Sequence, residues 1–379
     1  MKTDEVSAKK NSWPIVAISI VLWFVSLLNG TGIGAAYGVY NKAMFVVLLC
    51  YAYQVIVKGQ FRRINKTTVI LLFVLVFQNL YTHFLYGKDF IEYLAIYAIP
   101  ILYSLMTIDE KQMRIIGLTY GICGGIILLV ANFTSIFAGW DGNTVSMICF
   151  FSYAVFIASM FDVKKKEHQQ SITIYSCIYF VLLWTLNSRS CILFSMFLLF
   201  CALGIIPARS QIKKSTMLIW LLVPLIIAIT VAIISNLELS TSMNEWSKEH
   251  FNKSFYNGRD SLWVRGFEIW TQYPIFGTGT FIIRWHNSAV SCLVGAGIVG
   301  YFIWIYAIRD MLAKACKYID DNIIFGTVTA FLAVWLQQSV ELGIISTHGN
   351  PIIFVLLGLV LARTNTLNKE EDLKNTNLE

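Results

Sequence analysis

The chain has 379 residues, of which 57% are hydrophobic and only 13% charged, far from the roughly 25% charged residues of a soluble domain. Apolar runs able to cross a hydrocarbon core, about 20 helical residues each, recur along nearly the whole length and leave no room for a separate soluble domain. The formal charge of +7 sits in short connections between those runs rather than on one solvated face, which argues against a nucleic-acid surface and for positive-inside topology.

The first predicted span, 14 to 30, follows a charged segment as a signal peptide would, but shows no clear small-residue cleavage site and reads as a retained helix. Further spans are expected at roughly 41 to 57, 67 to 86, 90 to 107, 115 to 138, 144 to 161, 171 to 188, 190 to 206, 216 to 235, 288 to 308, 322 to 340 and 350 to 362. The expectation is an all-α polytopic membrane protein of about twelve transmembrane helices, with residues 1–379 forming a single integral membrane domain. The polar tail at 363–379 is expected to be disordered. The eight cysteines include no C-x-x-C pair and lie almost entirely in apolar runs, so neither a disulfide framework nor a zinc site is expected.

Basic clusters fall on alternate connections: Lys2, Lys9 and Lys10; Lys58, Arg62, Arg63 and Lys66; Lys111 and Arg114; Lys164 to Lys166; Arg209, Lys213 and Lys214; Arg309, Lys314 and Lys317; then Arg363, Lys369 and Lys374. They put both termini in the cytoplasm. The opposite face keeps few cations, and Lys248, Lys253, Arg259, Arg265 and Arg284 of these share one long connection, 236 to 287, which is therefore expected outside. Long loops cross largely regardless of charge, so this concentration has either a functional or an indifferent origin.

Within that connection the spacing predicts an amphipathic helix over Ser261 to Gln272, capped by Asp260 and ended by Pro274, with Trp263, Phe267 and Trp270 at i, i+4 and i+7. Two readings of the aromatic stripe stand side by side: a helix lying among lipid headgroups, or one packed on the roof of the bundle.

Three residues on the outer face carry candidate chemistry. Arg189, in Asn187-Ser188-Arg189-Ser190, stands at the junction of two spans with almost no loop between them. Alone it reads as a snorkelling residue; together with Arg259 it offers planar forks of donors suited to phosphate or diphosphate oxygens. His286 precedes a span, where a neutral imidazole accepts a proton, or simply bonds to backbone. Arg265, Arg284 and His348 are further binding candidates by location. The outer acids, Glu341 among them, show no D-x-D or paired-carboxylate cluster of the kind that holds a hard cation against a diphosphate, so no metal is expected.

At these residues the chain resembles the family of O-antigen ligases and Wzy-type O-antigen or capsular polysaccharide polymerases. Arg189 to Leu193 matches an R-x3-L signature at the start of a span. His286-Asn287, nine residues, then Gly297-Ile298-Val299-Gly300 match an H-N-x9-G-x-x-G pattern. Gly258-Arg259, Trp263, and Pro274 with Gly277 to Gly279 resemble the family's loop arginine and its P-x-x-G-x-G segment. The motifs cover about residues 187 to 305; the first half is similar only in its succession of spans.

The resemblance implies a metal-independent, cofactor-free glycosyltransferase at the outer face of a bacterial cytoplasmic membrane, using an undecaprenyl-diphosphate-linked oligosaccharide as donor. Arg189 and Arg259 would bind the diphosphate and His286 would act as the base or position the acceptor. The implied partners are membrane lipids and the flippase and chain-length regulator of the same pathway. A polymerase is favoured, a ligase transferring to lipid A core is the alternative, and a lipid-linked oligosaccharide flippase is the reading from another class. Transporters place ionisable groups near the midplane, where this chain has few or none, and its largest loop is external.

Overall fold

The computed structural model describes residues 13–30, 38–57, 70, 73–74, 77, 80–81, 84–85, 99–134, 142–161, 165–235, 238–251, 254–280, 285–341 and 351–376. All regular secondary structure among them is helical. In chain order the helices are α1 (Trp13–Gly30), α2 (Val39–Ile56), α3 (Glu110–Phe133), α4 (Gly142–Met160), α5 (Lys166–Thr185), α6 (Arg189–Ala202), α7 (Met217–Ile234), α8 (Glu238–Phe251), α9 (Arg259–Gln272), α10 (Ser288–Ala315), α11 (Asn322–Gln337) and α12 (Pro351–Thr376). Ten of them overlap predicted spans, whereas α8 and α9 fall in the predicted connection 236 to 287, where only α9 was expected; the ranges 67 to 86 and 90 to 107 lie largely outside the described residues.

Five of these helices are long and apolar enough to cross a membrane. The physical case is clearest at α7, whose mean hydropathy is 2.9 while only 22% of it is buried in the protein. Such a surface is stable against hydrocarbon and not against water, so the fold is that of a helical membrane protein. The core lies around α4, which is buried almost throughout and packs on α3 and α11. At Gly117 a Cβ would come within 1.7 Å of Ser159 Oγ, so the absence of a side chain is what lets α3 and α4 approach.

Two expectations are corrected. The segment from Arg363 is helical to Thr376 rather than disordered. Its polar side chains are tied down: Arg363 pairs with Asp321 at 2.6 Å, Thr366 Oγ1 donates to the Ile108 carbonyl at 2.9 Å, and Lys317 and Tyr318 both bond Glu371. The amphipathic helix begins at Arg259, not Ser261, and its N-cap is Gly258 rather than Asp260, because Asn257 and Gly258 are both left-handed and reverse the chain there.

Among the described residues, contacts between connections gather Arg114, Arg209, Lys317 and Arg363 at one end of the bundle. Arg114 meets His168 at 3.2 Å, and Arg209 donates to Asn322 at 2.8 Å. Helices α6 and α10 begin at the other end, where α9 packs.

Candidate functional site

Helix α10 starts at Ser288 because Asn287 caps it. The Asn287 Oδ1 accepts from the amides of Ala289 and Val290 at 2.8 and 3.0 Å. Its Nδ2 donates to the Pro224 carbonyl of α7 at 2.9 Å and to the Ser339 carbonyl at 2.8 Å. This buried amide therefore uses both donors and its acceptor to join three elements. The Ser288 amide adds a bond to the Gln338 carbonyl at 3.0 Å. Together they clamp the turn 338–341, which follows α11, against the start of α10.

His286 is fixed from both sides. After it comes Asn287; before it, buried Trp285 accepts at its carbonyl from Trp263 Nε1 of α9 at 2.7 Å. Between those anchors His286 takes φ 49°, a left-handed conformation uncommon outside glycine. Strain held in place by its surroundings is a hallmark of functional positions.

Helix α9 is seated by a second apolar cluster of Ala228, Trp263, Trp285, Val290 and Val294. Gly266 allows the close approach, since a Cβ there would lie 2.6 Å from Val290 Cγ1. Trp263 is 2% exposed, and Phe267 and Trp270 pack against the core. The stripe that the sequence left open between headgroups and roof packing is roof packing.

These supports converge on Glu341. Arg259 Nη2 donates to Glu341 Oε1 at 2.5 Å, and His286 Nδ1 lies 3.4 Å from Glu341 Oε2. The side chains are 5% exposed for Glu341, 21% for Arg259 and 40% for His286. A carboxylate thus lies at the floor with a guanidinium and an imidazole above it, opening to the surface. A buried carboxylate is tolerated only when paired, and here both partners come from the polar connection before α10. Nearby, the buried hydroxyls of Ser291 and Ser339 find no hydrogen-bond partner among the described residues, which leaves polar capacity for water or a ligand.

The chemistry available follows from the geometry. Nδ1 is the imidazole nitrogen that faces Glu341; in the tautomer carrying its hydrogen there, Nε2 is the nitrogen that accepts a proton from a substrate. Glu341 engages one guanidinium nitrogen of Arg259, so the remaining donors stay available to an anion. Arg259 and Arg189 are each the first residue of a helix, and His286 immediately precedes the cap of α10. Cations at the positive ends of helix dipoles are favourable only when an anion joins them.

The two glycine motifs form one device. Helix α10 breaks at Gly297 (φ 68°, ψ −175°), and the segment after Pro274 inserts into the break. The amides of Thr278 and Gly279 donate to the carbonyls of Val294 and Gly295 at 2.7 and 2.9 Å, while those of Ile298 and Val299 donate to Pro274 and Ile275 at 2.9 and 3.2 Å. The backbone groups freed by the break are satisfied by the inserted chain, as membrane-depth irregularity requires.

Of the predicted site residues, Arg259 and His286 are brought together through Glu341. Arg189 lies exposed at the start of α6 and makes no hydrogen bond or ion pair with the described residues. Its helix start is nevertheless tied to the end of α11, four residues before Glu341, where the Gln337 amide meets Cys191 Sγ at 3.8 Å. Arg265 is exposed, two residues along α9 from buried Trp263, and bonds none of these residues. Arg284 and His348 lie outside the described residues. In the sequence Glu341 stands only among the outer acids, with no partner to hold a cation; its one signal is being a single acid just past the end of a span, at the same face as Arg259 and His286. The chain matches no protein-family model and no curated protein.

Proposed function

We propose that this chain is a metal-independent polysaccharide polymerase, a polytopic membrane glycosyltransferase of about twelve spans with both termini in the cytoplasm and the His286 site on the outer face of a bacterial cytoplasmic membrane. Its donor is an undecaprenyl-diphosphate-linked oligosaccharide and its acceptor a sugar hydroxyl of another lipid-linked repeat. The observation that carries this reading is Glu341 bonded to both Arg259 and His286, which sets an anion-binding guanidinium beside a base within one opening.

In the proposed reaction the donor diphosphate binds at Arg189 and the free donors of Arg259, at the helix N-termini that carry them. As the acceptor oxygen bonds the anomeric carbon, the bond from that carbon to the diphosphate breaks. The arginines stabilise the charge developing on the departing diphosphate. His286 Nε2 takes the acceptor hydroxyl proton while Glu341 holds the imidazole from the other side. The proton then leaves to solvent, restoring the base.

The test is reconstitution in detergent with a lipid-linked repeat, alone or with lipid A core. Polymer formed from the repeat alone supports a polymerase. Transfer only to lipid A core reassigns the chain as a ligase, and no transfer of either kind by well-folded protein rejects the enzyme reading in favour of a transporter.

A further inference from the structure

At the end of the bundle opposite His286, a cavity of about 810 Å³ opens between the end of α10, the turn after α6 and the middle of α12. Its volume is that of a site for a sizeable small molecule rather than a lone ion. Arg209, Lys213, Lys214, Lys314 and Lys317 line it, with Asp310 the one carboxylate among its lining residues.

The pairing of these charges is uneven. Lys314 is matched by Asp310 at 3.0 Å and Lys317 by Glu371. Arg209 donates to neutral acceptors, the Asp320 carbonyl at 3.3 Å and Asn322 Oδ1 at 2.8 Å, and lies over the Phe325 ring at 4.6 Å from its centroid. Lys213 and Lys214 are exposed and form no ion pair among the described residues. Three cations therefore face one cavity without a carboxylate partner, an arrangement whose mutual repulsion a bound anion relieves.

The floor between them is apolar: Ile212, Met311 and Leu361 are 2%, 6% and 9% exposed. A cationic rim over an apolar floor, at the end of a bundle of membrane helices, matches an amphipathic anion better than a fully hydrated one. Basic pockets between transmembrane helices on the cytoplasmic side are suited to anionic headgroups, and the basic clusters assign this end to that side.

We propose that this cavity is a binding site for the phosphoryl headgroup of an anionic membrane lipid, with Lys213, Lys214 and Arg209 contacting the phosphate and Ile212, Met311 and Leu361 taking the glycerol and first acyl carbons. The proposal rests on membrane insertion and not on the transferase reading.

The full-length protein in neutral detergent is titrated with phosphatidylglycerol and, separately, with phosphatidylcholine of the same chains, and binding is followed by native mass spectrometry. Phosphatidylglycerol is expected to bind about tenfold or more tightly than phosphatidylcholine. The variant K213A/K214A, which removes two exposed side chains with no ion-pair partner among the described residues, is expected to lose most of that preference while unfolding at the parent's temperature in lipid-free detergent. Equal binding of the two lipids, or a preference unchanged in K213A/K214A, overturns the proposal. Inorganic phosphate at millimolar concentration separates the two sources of the same chemistry. Failure to displace phosphatidylglycerol supports the lipid, and full displacement reassigns the cavity to a soluble phosphoryl compound. Should K213A/K214A prove unstable, K213Q and K214Q singly give the same readout.

Discussion

The Arg259 guanidinium and the Glu341 carboxylate meet at 2.5 Å although 82 residues separate them in the chain. The pair joins the helix before α10 to the turn after α11, and it lies directly beside His286. A charge relationship of this kind does two jobs at once: it holds the roof helix onto the bundle, and it sets the direction in which the imidazole can act.

Glu341→Gln tests both jobs, since it keeps the shape and removes the charge. Turnover of a lipid-linked repeat is expected to fall on the order of 10²-fold, because the imidazole loses the carboxylate that orients it. Thermal unfolding in detergent should also drop, because partly buried Arg259 loses its counter-charge. A lowered melting temperature with unchanged turnover would leave Glu341 a purely structural residue.

The arginines are expected to differ among themselves. Arg189→Lys keeps the charge and loses the planar fork, so a diphosphate contact fails by tenfold or more in kcat/KM, whereas a snorkelling residue tolerates the change. Arg265→Ala should stay within about twofold of the parent, since Arg265 lies in the middle of α9 rather than at a helix start, the position that Arg189 and Arg259 share. The check is steady-state kinetics on variants that accumulate in membranes like the parent.

The inserted glycine segment makes a stability prediction that needs no substrate. A Cβ on Gly277 would stand 2.5 Å from the Gly297 nitrogen, and one on Gly297 would stand 2.2 Å from the Ile275 carbonyl oxygen. Both obstacles are backbone and cannot rotate away. Gly277→Ala and Gly297→Ala are each expected to cost about 3 kcal/mol or more, from the clash together with the left-handed φ. At Gly258 the backbone is equally left-handed but nothing lies within 4 Å, so Gly258→Ala should cost only about 1 kcal/mol. Denaturation of the three variants in detergent gives the ranking, and equal losses would refute the insertion as the cause.

Acid should loosen the end of α12. The Lys317 ammonium, followed by the Tyr318 hydroxyl, holds the Glu371 carboxyl below the usual carboxylate range. Because the folded value is depressed, this contribution is fully present above the unfolded carboxyl value of about 4.3 and is lost as pH falls through the folded value. Hydrogen exchange corrected for intrinsic rates should rise at 367–376 on acidification below about pH 4, while 351–362 stays protected. The Glu371→Gln variant should show no such pH response.

Sidedness can be read with cysteines in a background lacking the native eight. Lys165→Cys and Glu249→Cys place thiols in two connections that the alternating basic clusters assign to opposite sides of the membrane. An impermeant reagent on intact cells is expected to label only position 249, as the alternating basic clusters require. Labelling at 165 alone would invert the topology and remove the outer-face site.

The sequence by itself located the apolar helices among the described residues, because runs such as Met217–Ile234 can satisfy both their side chains and their backbone only as helices in hydrocarbon. It also singled out Arg259 and His286, whose polar groups stand out against an apolar chain. It misread the segment after Arg363, where composition alone suggests disorder and only contacts with Lys317, Tyr318 and Asp321 reveal a tethered helix. The orientation of the aromatic stripe of α9 was equally undecidable from spacing, since periodicity shows that a face is apolar and not what covers it; buried Trp285 decides it. Glu341 became part of the site only through the fold. A carboxylate and an arginine far apart in sequence are paired by the closure of α9 over α10 and by one buried asparagine clamping the turn after α11, and such long-range contacts leave no local pattern to read.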